Sequence, residues 1–287
     1  MVYKPMDEIV GQITDTVKIE SVIRPIYNFK ASKFRGEGKA DNIKSPGIIL
    51  LEIKHLKGVQ VMIYAVSDLH GCFEKYNRLL DRLCLSDNDT LYILGDIVDR
   101  GDGGIDILKD IIGRKNIVAL KGNHDYMAAT MLKAFVIGND GYRSKNLIEG
   151  LGLWLKDGGQ PTLDNFRRLS ARDKILIFHF LKSLPVYKKI EVGGRKYFLA
   201  HTVPEKDKMM DFENCDEHDF TIGEPEYEKQ YYSDTFIVTG HTPTSFIDEA
   251  YTGKIWQGNN HIAIDCGAVF GNPLGCICLD TMEEIYV

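Results

Sequence analysis

Three short apolar runs, each ending in a cluster of Asp, His or Asn, constrain this chain more than any other feature. Val61-Met62-Ile63-Tyr64-Ala65-Val66 runs into Ser67-Asp68-Leu69-His70-Gly71. Leu91-Tyr92-Ile93-Leu94 runs into Gly95-Asp96-Ile97-Val98-Asp99-Arg100-Gly101, and Ile117-Val118-Ala119-Leu120 precedes Gly122-Asn123-His124-Asp125. The runs are four to six residues long, mostly β-branched or otherwise apolar, and stop at turn residues, which favours buried strands over helix. Between them, Phe73, Tyr76, Leu80 and Leu83, and then Ile105, Leu108, Ile111 and Ile112, fall at helical spacing. The alternation is β-α-β-α-β, which implies a parallel sheet with ligands bound outside the carboxyl ends of its strands.

The pattern recurs twice. Tyr197-Phe198-Leu199-Ala200 leads into His201-Thr202, and Phe236-Ile237-Val238 into Thr239-Gly240-His241-Thr242. A single polar cluster at a strand end commonly does no more than cap a helix or make a turn. Five of them together point to one chemical centre. Asp, His and Asn are the donor types that suit a divalent ion such as Mn, Fe or Zn. Asp68, His70, Asp96, Asn123, His201 and His241 are more donors than one such ion needs when water must also bind, so they suit two ions bridged by one carboxylate. Water bound to such ions can ionise near neutral pH and attack without a side-chain nucleophile. The forked guanidinium of Arg100 suits two phosphate oxygens. His124, oriented by Asp99, is placed in the sequence to protonate a leaving oxygen.

Composition bounds the rest. At 287 residues and 44% hydrophobic content, the chain can bury a sizeable core. It carries no run of apolar residues long enough to cross a membrane as a helix and no signal-peptide order at its N-terminus, so the cytoplasm is the expected compartment. Its six cysteines have no paired metal-binding spacing and read as reduced core thiols. Residues 1–61 hold ten Lys or Arg against seven Asp or Glu, a balance of +3, which leaves −9 for residues 62–287 out of a total of −6. A body this acidic argues against nucleic acid as the main partner.

Residues 1–61 keep no periodicity for long and are read as an N-terminal extension to a 62–287 catalytic domain. Two accounts of it stand: an appendage packing Ile48–Leu51 on the body, or a translated leader with the functional protein starting at Met62. The second rests on Lys57-Gly58-Val59, which back-translates to a purine-rich sequence resembling a bacterial ribosome-binding site. Further along, Tyr126–Val136 predicts a helix and 139–183 a helical insert, with turns at Asn139-Asp140-Gly141 and Asp157-Gly158-Gly159. Trp154, Leu163, Phe166 and Leu169 read as core. Leu184–Ala200 predicts a hairpin turning at Gly193-Gly194, and 202–233 a polar loop shaping substrate access. Runs at His261–Ile264, Cys276–Leu279 and Glu284–Val287 suggest a second sheet packed on the first. His55, His179, His218 and His261 lie outside the clusters and read as surface or core residues.

Taken together, SDLHG, GDIVDRG, GNHD, AHT and GHT resemble the phosphoprotein phosphatase branch of the calcineurin-like metallophosphoesterases, over Val61 to about Gly271. The look is closest to small bacterial and phage serine/threonine phosphatases, partly through Ile264–Phe270 and through Trp154 with Asp157-Gly158-Gly159. The resemblance implies an α/β fold, a βαββ-type sandwich of two mixed sheets flanked by helices. It implies that Asp68 and His70 hold one metal, that Asn123, His201 and His241 hold the other, and that Asp96 bridges. The implied activity is serine/threonine protein phosphatase, by attack of metal-bridging hydroxide on phosphorus, with manganese favoured and a phosphorylated protein or peptide as substrate. Arg100 and Asn123 would contact that substrate, and His124, Asp99 and Arg100 would serve catalysis. The alternative is a symmetrical dinucleoside tetraphosphate hydrolase acting on a nucleotide polyphosphate, and a third reading is a metal-binding module without turnover. Three departures from the pattern stand out: Ser67 for a glycine, Asp125 for a glutamate, and no Arg from Thr202 to Gly240, where Gly223-Glu224-Pro225 stands at the place of a phosphate-binding arginine.

Overall fold

The structure, a computed structural model, describes residues 61–137 and 145–287. The expectations for residues 1–61 lie outside them almost entirely, as do His55 and the turn at Asn139-Asp140-Gly141.

The opening alternation forms as expected. Strand β1 (Ile63–Val66), helix α1 (Phe73–Leu83), strand β2 (Thr90–Ile93), helix α2 (Gly104–Gly113) and strand β3 (Ile117–Ala119) build a parallel set. Ile63 pairs with Thr90 and Leu91 with Ile117. Helix α3 (Asn123–Ile137) begins three residues earlier than its apolar pattern indicates, so the third polar cluster is the first turn of a helix. Helices α4 (Lys145–Trp154), α5 (Gln160–Arg167) and α6 (Ala171–Ser183) follow. The Asp157-Gly158-Gly159 turn forms as a tight kink between two helices rather than as a loop. It lies in a π-turn, Leu155–Gly159, in which Gly158 alone reverses, at φ 102°.

The second sheet starts with the hairpin of β4 (Tyr187–Val192) and β5 (Arg195–Ala200), joined through Gly193 and Gly194 at positive φ, as a two-residue turn requires. Short helices α7 (Lys206–Met210) and α8 (Glu217–Thr221) precede β6 (Thr235–Thr239). Helix α9 (Thr244–Ile247) and strands β7 (Trp256–Gly258), β8 (His261–Ala263), β9 (Gly275–Cys278) and β10 (Glu284–Tyr286) complete the described chain. The sheet orders are β10-β9-β1-β2-β3 and β4-β5-β6-β8-β7, both mixed.

The terminal strands depart from expectation. The 276–279 and 284–287 runs do not extend the second sheet; β9 returns to the free edge of β1, antiparallel, with Cys276 opposite Val66, and β10 pairs with β9. The reason is that within the parallel set β1 is hydrogen-bonded on its β2 side only and needs a partner for its other row of backbone groups.

Side-chain alternation then decides which layer each residue enters. Val66, Leu91 and Ile93 face the helices, whereas Ala65, Tyr92 and Leu94 join Tyr197, Leu199, Val238 and Ile262 between the sheets. Central parallel strands are thus buried on both faces, which is why they read as unbroken apolar runs. The 202–233 stretch is more than an access loop. Its Val203, Met209, Phe220 and Tyr231 close over Phe198 and Ile237 on the outer face of the second sheet. Cys266, Cys276 and Cys278 are core thiols as expected, but Cys84 is exposed at the end of α1, and all six are free.

Candidate active site

The polar clusters leave β1, β2 and β3 of one sheet and β5 and β6 of the other, so facing the sheets brings all five to one place. Backbone hydrogen bonds lock the loops together. His70 and Gly71 donate to the carbonyls of Asp96 and Ile97 (2.8 and 3.0 Å), and Gly240 donates to that of His201 (3.0 Å). The His241 N–H crosses between sheets to Asp68 Oδ2 (3.0 Å). Gly122 and Gly240 are glycines for space rather than for φ. A Cβ on the first would lie 2.1 Å from Asp96 Oδ1, and on the second 1.9 Å from Ser67 Oγ.

Two groups of acceptor atoms result, and Asp96 belongs to both. On one side, His70 Nε2 lies 3.3 Å from Asp96 Oδ2 and 3.9 Å from Asp68 Oδ1. On the other, His201 Nε2 lies 3.5 Å from Asp96 Oδ1, 2.9 Å from Asn123 Oδ1 and 3.1 Å from His241 Nδ1. The tautomers follow from the far side of each ring. His70 and His201 donate Nδ1–H to the carbonyls of Val98 and Leu94 (3.1 and 2.8 Å), which leaves both Nε2 lone pairs facing inward. All six residues singled out from sequence as donors therefore converge.

A divalent cation fits this chemistry. Asp68 Oδ1 is buried with no hydrogen-bond partner, a costly state for a carboxylate oxygen unless a cation meets it. Burial pushes the Asp68 carboxyl well above its usual range, with Asp265 adding to it, and Asp96 rises likewise from burial and from Asp68. Burial holds His70 and His201 well below the ordinary imidazole value and His241 down to about 4. Crowded acids and neutral imidazoles of this kind are what bound cations stabilise. Two triads that share Asp96, Asp68–Asp96–His201 and His70–Asp96–His124, each place their donor atoms within 4.8 Å of one another; they cut across those two sides, so the donors form one cluster around Asp96 with two possible cation positions.

His124 belongs to the triad with His70 and Asp96, but its partners differ from those of His70. Its Nδ1 donates to Asp99 Oδ2 (2.9 Å), and its Nε2 lies 2.9 Å from Arg100 Nη2 and 3.6 Å from the half-exposed Asp157. Arg100 also reaches His70 Nε2 (2.6 Å) and lies over the Phe270 ring at 5.6 Å. Asp99 is fully buried and takes two further donors, Trp154 Nε1 (2.6 Å) and Thr162 Oγ1 (2.7 Å).

Those last partners were not marked as functional by sequence reasoning. Trp154 is core as expected, 1% exposed, yet its indole N–H also fixes Asp99. The Gly158-Gly159 pair now has a reason: a Cβ on Gly159 would meet the Trp154 ring at 2.4 Å, and one on Gly158 the Arg100 side chain at 2.8 Å. Asp125, shorter than the glutamate of the resemblance, still accepts from the backbone of Asp96, Ile97 and Gly122 at 2.8–3.0 Å. His179 and His218 are exposed and His261 is buried against Thr239 (2.8 Å), all away from the donor groups.

The calcineurin-like phosphoesterase family model matches residues 61–259, most of the chain. The chain belongs to that family. This metallophosphoesterase is a hydrolase of phosphoric esters; its family uses divalent metals, and its own His/Asp groups could hold them. It is 28% identical over 239 residues to the asymmetrical bis(5'-nucleosyl)-tetraphosphatase PrpE of Oceanobacillus iheyensis, covering 73% of this chain and 85% of that protein. It is 31% identical over 140 residues to the symmetrical bis(5'-nucleosyl)-tetraphosphatase of Haemophilus ducreyi, covering 48% of this chain and 43% of that one. Among solved structures it matches a serine/threonine phosphatase from Saccharomyces cerevisiae with a TM-score of 0.51 and 16% identity, over 79% of each chain. At that identity the likeness is one of fold. No helix among the described residues is long and apolar enough to cross a membrane.

Proposed function

We propose that this metallophosphoesterase hydrolyses a bis(5'-nucleosyl) tetraphosphate. The observation that carries the reading is the pair of acceptor groups sharing Asp96 beneath the Arg100–His124 pair, since it suits an anhydride chain of several phosphates beside two cations. The substrate class is supported by sequence relatives that are nucleosyl tetraphosphatases, one of them matched over most of its length. The protein-phosphatase activity expected from motifs alone has a likeness of fold behind it and so gives way to the alternative.

Asp68, His70 and Asp96 would hold one divalent cation, and Asp96, Asn123, His201 and His241 the other, with manganese the favoured ion. Bound there, the cations would supply Lewis acidity, activating water and offsetting phosphate charge. The chain's own groups do the rest. Arg100 grips phosphate oxygens through its planar fork. Asp99, held by Trp154 and Thr162, fixes His124 with Nδ1–H on its carboxylate and Nε2 beside Arg100, the position from which Nε2 would deliver a proton to the leaving phosphate oxygen. Water adds across one P–O–P bond and two nucleotides leave.

The test is product chromatography with the full-length protein and added manganese, offering bis(5'-adenosyl) tetraphosphate and a phosphothreonine peptide, with Asp96→Asn as the blank. Preferential cleavage of the dinucleotide, abolished by a chelator and absent in the blank, supports the reading. Two ADP against ATP plus AMP separates symmetrical from asymmetrical cleavage. Preference for the peptide returns the protein to the phosphatase reading.

A further inference from the structure

The cleft at the mouth of this site has an apolar rim that the hydrolytic chemistry does not use. Arg100 and His241 form its inner wall, and Phe246, Phe270 and Asn272 its outer one, around an open volume of about 370 Å³, enough for one nucleoside-sized group. Phe246 is 81% exposed and Phe270 65%. Neither ring is packed for stability at that exposure, and both flank a functional centre rather than lying scattered on the surface.

Their backbones are nevertheless fixed. Phe270 ends a 3₁₀ turn, Ala268–Phe270, and Lys75 from α1 binds the carbonyls of Ala268 and Asn272 at either side of it (2.7 and 2.5 Å). Phe246 sits in α9, whose Thr244 N–H donates to Asp265 (2.9 Å) and whose Phe246 N–H donates to Pro243 (2.8 Å). The rings are thus presented on held backbone, a pre-organised surface that loses little freedom on binding.

We propose that Phe246 and Phe270 are the nucleobase-stacking residues of this site, receiving one base of the substrate while Arg100 holds the adjoining phosphates. The inference rests on the nucleosyl polyphosphate reading. The make-up of the cleft supports it, with the Arg100 guanidinium and two exposed aromatic rings lining one opening, and Arg100 5.6 Å from the centre of the Phe270 ring. Arg100, lying over Phe270, joins the two halves and adds its own flat face to the stack. Stacking of this kind tolerates every base, because each has a π face, so the site should discriminate nucleotide from non-nucleotide rather than adenine from guanine.

The experiment compares kcat/KM of the full-length enzyme for bis(5'-adenosyl) tetraphosphate with that for inorganic tripolyphosphate, which has the phosphates and no base. Phe246→Ala and Phe270→Ala should each lower the ratio of the two about tenfold, the size of one lost base–aromatic stack, through KM for the dinucleotide. Phe246→Trp should hold or raise the ratio, whereas Phe246→Leu, apolar without a ring, should not restore it. An unchanged ratio in both alanine variants overturns the stacking role while leaving the substrate reading intact. Equal rescue by leucine overturns it too, since the rim would then be a seat for any apolar group, such as a peptide side chain. A wild-type enzyme that cleaves tripolyphosphate or phosphopeptide but not the dinucleotide sinks the substrate reading itself and the inference with it.

Discussion

The floor of the site and its rim are built on opposite terms. On the floor, Asp68, His70, Asp96, Asp99, Arg100 and His241 all hold positive φ, a conformation that non-glycine residues adopt at a cost of order 1–3 kcal/mol each where the fold imposes it. Asp68, His70, Asp96 and Asp99 are at most 2% exposed and locked to neighbouring loops. On the rim, Phe246 and Phe270 stand in solvent with little but backbone holding them. The difference teaches that the chemistry is fixed by strain that the core offsets, while recognition sits where residues can change without disturbing the fold.

The sharpest way to break that contrast is to disturb the floor. Asp96→Asn removes the carboxylate charge common to both acceptor groups, and the expected fall in kcat is on the order of 10³-fold or more, from several kcal/mol of lost Lewis-acid assistance. Calorimetric titration should find fewer manganese ions bound per chain than in the wild type, and full stoichiometry would remove Asp96 from its bridging role. Gly122→Ala, with its Cβ 2.1 Å from Asp96 Oδ1, should reproduce the loss by displacing that carboxylate while leaving all six candidate ligand side chains in the sequence.

Asp99→Asn is next in size. It replaces an acceptor by an amide in a pocket where His124, Trp154 and Thr162 all donate, so one donor is left facing another. Turnover should drop about 10²- to 10⁴-fold, the usual span for general acid help, while manganese stoichiometry is kept. A loss of bound metal in this variant would instead make His124 a ligand.

Trp154→Phe tests whether a core residue also serves the floor. The ring packing is largely kept and one hydrogen bond to a buried carboxylate is lost, which should lower unfolding free energy by about 1.5–3 kcal/mol in a urea titration and kcat by roughly tenfold. A stability loss with kcat unchanged would confine Trp154 to packing. The smallest effect belongs outside the floor. Glu224 is exposed, one residue beyond the Gly223 carbonyl that accepts from Thr202 (2.9 Å), so its charge emerges beside the His201 strand end. Glu224→Arg should tighten competitive inhibition by inorganic phosphate up to about fivefold, the reach of a solvent-screened charge. No change would mean that Arg100 alone sets phosphate grip.

Much of the floor was legible because its chemistry is local. A strand that must end in Asp-x-His or Gly-Asn-His carries those residues contiguously, and five such endings identify a common centre before any coordinates exist. The partners of Asp99 were not legible in the same way. Trp154 and Thr162 lie 55 and 63 positions from Asp99; Trp154 is explained fully as core, and no sequence signal marks Thr162. The Asp157-Gly158-Gly159 triplet was legible as a turn, but not its tightness, since nothing in a Gly-Gly pair tells that the kink is pressed against an arginine and an indole.

The pairing of terminal strands illustrates the same limit. Apolar runs at 276–279 and 284–287 declare strands, yet which sheet receives them depends on which edge is left unpaired, and that is a property of the assembled β1–β2–β3 layer. By itself the sequence determined the alternation of strands and helices, the five polar strand ends and the six candidate donors that the fold brings together, because each follows from short-range periodicity and turn chemistry. Only the tertiary structure decided that Asp99 has three donors, that the last two strands join the first sheet and that two phenylalanines flank the mouth, because each depends on distances between segments far apart in the chain.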